Sequence, residues 1–129
     1  MRTDNLSGQT ALVTGAGSGI GRATADLLAR RGADLIICDI DEGRLGRVAD
    51  ELRALGRKVM ARRVDVASAE AMEAFAAEVS ADIGSPDILM NNAGVGVAGS
   101  LVETPIEDWN WAIGINILGV VNGCRLFVP

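Results

Sequence analysis

A doubly wound α/β fold, a parallel sheet with helices on both faces, is what this sequence predicts, and three observations predict it. Short apolar runs, several rich in Val and Ile, alternate with longer segments of helical character. A glycine cluster, Gly15, Gly17, Gly19 and Gly21, separates the first run from the first of those segments. An acid, Asp39, closes the second run. Strands that alternate with helices pair in parallel through helical crossovers.

The strands are expected at TALVTG (10–15), ADLIICD (33–39), RKVMARRVDV (57–66) and PDILMNNAG (86–94). Ile20 to Arg31 reads as a helix with Ala23, Leu27 and Leu28 on one stripe and Gly32 as its stop. Asp41 to Leu55 places Leu45, Val48, Leu52 and Leu55 likewise and stops at Gly56. Ser68 to Ile83 opens on a capping serine, carries Met72, Phe75, Ala76 and Val79, and meets Gly84 and Pro86. From Pro105 one long apolar helix is expected, almost to Pro129, with Ile106, Trp109, Ile113, Ile117, Val120, Val121 and Cys124 at three-to-four spacing. Thr104 suits its N-cap and Pro105 its first position, and Glu107 and Asp108 favour the positive end of its dipole.

Composition narrows the function. With 129 residues, 49% hydrophobic and 22% charged, the chain suits a single globular domain, residues 1–129. A net charge of -5 and 3% aromatic residues argue against nucleic acid as a partner. No signal-like N-terminal segment and no 18-residue apolar run occur, so a soluble, unexported, cytoplasmic chain with no membrane partner is expected. Cys38 and Cys124 lie in apolar stretches without metal-like spacing and read as reduced packing residues; no metal site is expected. His is absent, which removes the commonest general base.

The glycines follow a strand and precede a helix, the context in which missing β-carbons let a backbone approach a pyrophosphate and present helix N-terminal N–H groups to it. A tight turn without a ligand would use them as well. Asp39 stands where an acid accepts hydrogen bonds from the adenosine ribose, and it would also serve as a turn or capping aspartate. The ribose role favours NAD over NADP, because Ser18 supplies no charge for a 2′-phosphate. A phosphate-binding NTPase loop is excluded by the missing Gly-Lys-Ser/Thr.

TGAGSGIG (14–21) and NNAG (91–94) together resemble the short-chain dehydrogenase/reductase family, whose members move hydride between NAD(P) and an alcohol or carbonyl. The resemblance implies a Rossmann-like sheet, incomplete at its C-terminal side, since these 129 residues correspond to about the first half of such a domain. It implies that Gly15, Ser18, Ile20 and Gly21 line the pyrophosphate turn and that Asp39 holds the ribose. Asp65 and Val66 would surround adenine, and Asn92, Ala93 and Gly94 would border the ribose and nicotinamide. Asn116 would hold the relay position among the catalytic groups, where the residues alone also allow a kink near Gly114 and Gly119. Asp65 would equally end a strand, and Asn91 with Asn92 would satisfy backbone groups there. The family's serine, its tyrosine and the lysine four residues later are missing: the chain has no Tyr, and its one Lys, Lys58, starts the third strand. The resemblance thus implies an NAD-linked oxidoreductase, commonly a homo-oligomer, of which this chain carries the cofactor-binding half, truncated before the catalytic Tyr/Lys segment and by itself inactive. A non-catalytic NAD-binding or assembly module is the alternative, with a nucleotide-dependent methyltransferase a third reading that NNAG argues against.

Overall fold

The computed structural model describes residues 5–129. Its elements are β1 (Thr10–Thr14), α1 (Gly19–Arg30), β2 (Asp34–Asp39), α2 (Glu42–Ala54), β3 (Val59–Arg63), α3 (Ala69–Asp82), β4 (Ile88–Met90), α4 (Ile106–Ile113), a π-helical turn (Gly114–Leu118) and α5 (Gly119–Phe127). The strands form one parallel sheet in the order β3-β2-β1-β4. The chain steps outward from β1 to β3, then returns past β1 to lay β4 on its other side. That reversal leaves a crevice beyond the carboxyl ends of β1 and β4.

Alternation along the two central strands feeds two cores. Ala11, Val13, Leu35 and Ile37 face α1 and α2, where Ala25, Ala29, Leu45, Val48 and Leu52 are buried. Leu12, Ile36 and Cys38 face the other way, onto Met72, Phe75, Val79 and Phe127. The rings of Phe75 and Phe127 meet edge to face, 5.8 Å between centroids, and join α3 to α5. Each fully buried Leu or Ile contributes about 2 kcal/mol of transfer free energy.

Several expectations are corrected. The buried stripe of α1 is Gly21, Ala25 and Ala29, while Ala23 is exposed, Leu28 half-buried and Leu27 50% exposed. At Gly21 there is no room for a side chain, because α1 begins hard against the Gly15 carbonyl and the Asn92 amide, and Ala25 and Ala29 continue that face into the core. β3 and β4 are shorter than their apolar runs, since Val64–Val66 and Asn91–Gly94 leave the ladder to form loops. Among the described residues β4 pairs with β1 alone.

The long helix is interrupted by the π-helical turn, which contains Asn116 between Gly114 and Gly119. Pro105 takes the N-cap position, because the Thr104 hydroxyl donates to the Ser100 carbonyl (2.7 Å) in the preceding turn. Much of the apolar stripe faces outward: Ile106, Ile113, Ile117 and Val121 are exposed. No helix of the described residues is long and apolar enough to cross a membrane.

The Ser68 hydroxyl caps α3, accepting from Ala71 N at 3.1 Å. Ser68→Ala is expected to lower stability by about 1 kcal/mol, read as a lower urea midpoint at unchanged slope; an unchanged midpoint would remove the cap from the account.

Candidate functional site

The site is assembled where β1 and β4 end. Thr14, the last residue of β1, is buried, and its Oγ1 accepts from both Asn92 N and Ala93 N at 3.0 Å. In return Asn92 Nδ2 donates to the carbonyls of Thr14 (3.1 Å) and Gly15 (3.2 Å). Two loops 77 residues apart in the chain are thereby lashed together.

Gly15 sits at φ 65°, and a β-carbon there would lie 2.8 Å from the Ala93 Cα. Only glycine fits both the conformation and the space. A β-carbon on Gly17 would lie 2.9 Å from Asp39 Oδ2, the atom to which Gly17 N donates at 2.9 Å. Asp39 Oδ1 accepts from Asp41 N, also at 2.9 Å. Asp39 is therefore a turn aspartate whose two oxygens are aimed by backbone amides, and it still lines the cavity described next. At the start of α1, Ser18 makes no side-chain capping bond and the first turn holds no acid, which leaves the helix N-terminus open to an anion from outside.

A cavity of about 510 Å³ opens over these ends. The turn after β1 contributes Gly15, Ser18 and Ile20, and the end of β2 contributes Asp39 and Ile40. Val64, Asp65, Val66 and Ala67 follow β3, and Asn92, Ala93, Gly94 and Val95 follow β4. Asn110, Trp111, Gly114 and Ile115 close it from the α4 side. Nine of the sequence-predicted cofactor residues meet here: Gly15, Ser18, Ile20, Asp39, Asp65, Val66, Asn92, Ala93 and Gly94.

The tenth, Gly21, is not on the wall. It lies one turn into α1, against the Gly15 carbonyl and the Asn92 amide, where its missing side chain lets the helix start so close to the turn. Asn116 is also off the cavity, and it is exposed. Its carboxamide grips Val95 in both directions, Nδ2 to the Val95 carbonyl and Val95 N to Oδ1, each 2.8 Å. A π-helical turn stands where the residues allowed a kink, and the carboxamide within it is spent on the Val95 loop. Asn91 turns away, donating to Cys124 Sγ at 3.4 Å.

Sequence reasoning missed Thr14, Ile40, Val64, Ala67, Val95 and the α4 wall. For Thr14 a signal existed, a hydroxyl at the end of an otherwise apolar buried strand.

A parallel sheet whose order reverses beside a glycine turn, with a cavity built from all four strand ends, defines a Rossmann-type α/β protein. The chain belongs to the short-chain dehydrogenase family: residues 9–129 match the family model described as short chain dehydrogenase. It is 52% identical over 115 residues to the probable oxidoreductase EphD of Mycobacterium tuberculosis, covering 89% of this chain and 19% of that protein. A short-chain dehydrogenase/reductase from Burkholderia phymatum in complex with NAD superposes with a TM-score of 0.92 at 43% identity, over 97% of this chain and 44% of that one. L-sorbose reductase from Gluconobacter frateurii, complexed with NADPH and L-sorbose, gives a TM-score of 0.93 at 33% identity, over 99% and 49%. The chain thus spans about a fifth to about a half of the length of these relatives.

The two cysteines are free and differ sharply. Cys38 is fully buried, and burial, reinforced by the neighbouring Asp39 charge, pushes its thiol up to about 12. Cys124 is exposed rather than packed, because its helix face points outward. With an aromatic disulfide reagent at pH 8, the folded protein is expected to release one equivalent quickly, from Cys124, and the second only on denaturation. Rapid release of two equivalents from folded protein would show that β2 opens.

Proposed function

We propose that the protein is an NAD-dependent oxidoreductase acting on a small alcohol or carbonyl substrate, and that this chain supplies its cofactor-binding half. The observation that carries the reading is the convergence of the glycine turn, Asp39, Asp65–Val66 and Asn92–Gly94 on one cavity. The cradle suits a dinucleotide: the close approach at Gly15 leaves no side chain in the turn, and the uncapped start of α1 offers amide donors to a pyrophosphate. In this reading Gly15, Ser18 and Ile20 hold the pyrophosphate with Gly21 behind them, and Asp39 accepts from the ribose hydroxyls. Asp65 and Val66 flank adenine, and Asn92, Ala93 and Gly94 border the nicotinamide ribose. Bound NAD would supply a hydride acceptor, and its reduced form a hydride donor.

This chain's own residues bind and orient; none of them is placed to move the alcohol proton. There is no Tyr and no His. Lys58 precedes β3 at the amino end of the sheet, its backbone N bonded to Asp34 Oδ1, at the far side from the cavity. Asn116 shapes the Val95 loop and, as an amide, is no base near neutrality. In the relay reading it would order the path of a proton that another group accepts.

NAD is preferred over NADP because a 2′-phosphate would meet the Asp39 carboxylate. Two arginines lie nearer than the sequence spacing suggested. Arg63 is the register partner of Asp39 across β2 and β3, and Arg44 follows on α2. Each guanidinium has one nitrogen engaged, Arg63 Nε on the Ile40 carbonyl (3.1 Å) and Arg44 Nε beside Asp41 (3.5 Å), and keeps its other donors, so the preference for NAD rests on the Asp39 carboxylate. The exposed apolar side chains of α4 and α5 support a homo-oligomer, and the two free thiols support a reducing, cytoplasmic setting.

Titration calorimetry with both dinucleotides tests the reading. NAD is expected to bind about tenfold or more tightly than NADP. Equal or tighter NADP binding would sink the assignment of Asp39, and the absence of saturable binding by either would sink the site.

A further inference from the structure

Thr14 and Asn122 are the polar residues buried as whole residues among those described, beside the one buried side-chain oxygen of Asn91. Thr14 is explained by the lashing of β1 to β4. Asn122 stands on α5, outside the cavity wall, and its Nδ2 donates to the Val66 carbonyl at 2.9 Å. Val66 belongs to the irregular stretch between β3 and α3 that lines the cavity. The other ties of that stretch run to β2, within itself, or at its end into α3: Val64 N to the Asp39 carbonyl (3.1 Å), Ala67 N to Asp65 Oδ1 (3.0 Å), Ser68 N to the Asp65 carbonyl (3.0 Å), and Ala71 N and Met72 N to Ser68 Oγ (3.1 Å) and O (3.0 Å). Asn122 is the bond that fixes its middle, at Val66, to α5.

A second contact seats the same residue. One turn earlier on α5, a β-carbon on Gly119 would lie 2.7 Å from Val66 Cγ2. Val66 therefore rests in a notch that glycine leaves open, with its carbonyl held three residues further along the helix. A leucine of similar shape at position 122 would fill the space with apolar surface but leave the Val66 carbonyl without its donor. A buried amide instead costs free energy unless it is bonded, and its bond fixes one carbonyl at one position.

We infer that Asn122 is a positioning residue for the adenosine half of the cofactor: by holding Val66, it sets the Asp65–Val66 wall. The inference rests on the reading of the cavity as a dinucleotide site. Asn122 and Asn116 then form a pair of clamps on one helical pillar, each gripping the backbone of a different cavity loop.

The test compares two halves of the ligand. ADP-ribose carries the adenosine end and nicotinamide mononucleotide the other, and each is titrated into the unmodified protein, Asn122→Leu and Asn122→Ser. The expected result is about a tenfold loss of ADP-ribose affinity in both variants, with the mononucleotide changed less than about twofold. Circular dichroism and melting identify the folded variants. Asn122→Ser shortens the side chain, so that its hydroxyl falls short of the Val66 carbonyl, and adds no bulk, so it carries the comparison where the leucine variant does not fold. Equal losses for both ligands, or none, would overturn the positioning role. Failure of the unmodified protein to bind ADP-ribose would instead overturn the reading of the site, a separate result seen before any variant is made.

Discussion

The hydroxyl of Thr14 is the constraint on which the site depends. A parallel strand ends with backbone groups that its neighbours no longer satisfy, and buried amides without acceptors are costly. At the end of β1 one side-chain oxygen takes up two amides of the β4 loop, and Asn92 returns two bonds to the carbonyls of the glycine turn. The loop that would cradle a pyrophosphate and the loop that would border a nicotinamide are thereby a single body. The glycines follow from this. With Ala93 and Asn92 drawn against Gly15, and Asp39 against Gly17, side chains at those positions have no space.

The sheet order explains why these two loops meet at all. β4 returns to the flank of β1 after two outward crossovers, so residues far apart in sequence close the same crevice. The helical layer completes it from above: α3 and α5 join through the Phe75–Phe127 pair, and the two asparagines of the α4–α5 pillar reach down to Val95 and Val66. The helix is not regular where it does this. The π-helical turn surrounds Asn116, the residue that spends its carboxamide on a loop. Such departures are frequent where a helix serves a site.

Much of this was legible in the sequence, and the limits have physical causes. Strand runs, helix stops and the glycine turn are local signals, set by periodicity and backbone freedom, and they placed four strands and nine cavity residues together. The buried stripe of α1 was not legible, because hydrophobicity favoured Leu27 and Leu28 while the face against the sheet begins at Gly21, packed on the turn, and continues through Ala25 and Ala29. Gly21, expected along the pyrophosphate turn, lies directly behind it, against the Gly15 carbonyl, and lets the helix begin there. Arg63 beside Asp39 depends on strand register, and the grip of Asn122 on Val66 spans 56 residues. No local pattern encodes either. Cys124 and the outward face of α4 and α5 looked like core because an apolar helix face reads alike whether its own chain or another surface covers it.

Thr14→Val tests the central claim most directly, since valine keeps the shape and removes the acceptor. Asn92 N retains the Met90 carbonyl (3.0 Å), but Ala93 N loses its partner. Measured by NAD titration of folded protein, Thr14→Val should weaken binding by about tenfold, with Thr14→Ser, which keeps an acceptor oxygen, close to the unmodified protein. A folded Thr14→Val variant that binds NAD as well as the unmodified protein would contradict the account, because the two loops would then hold their places without the bond said to join them.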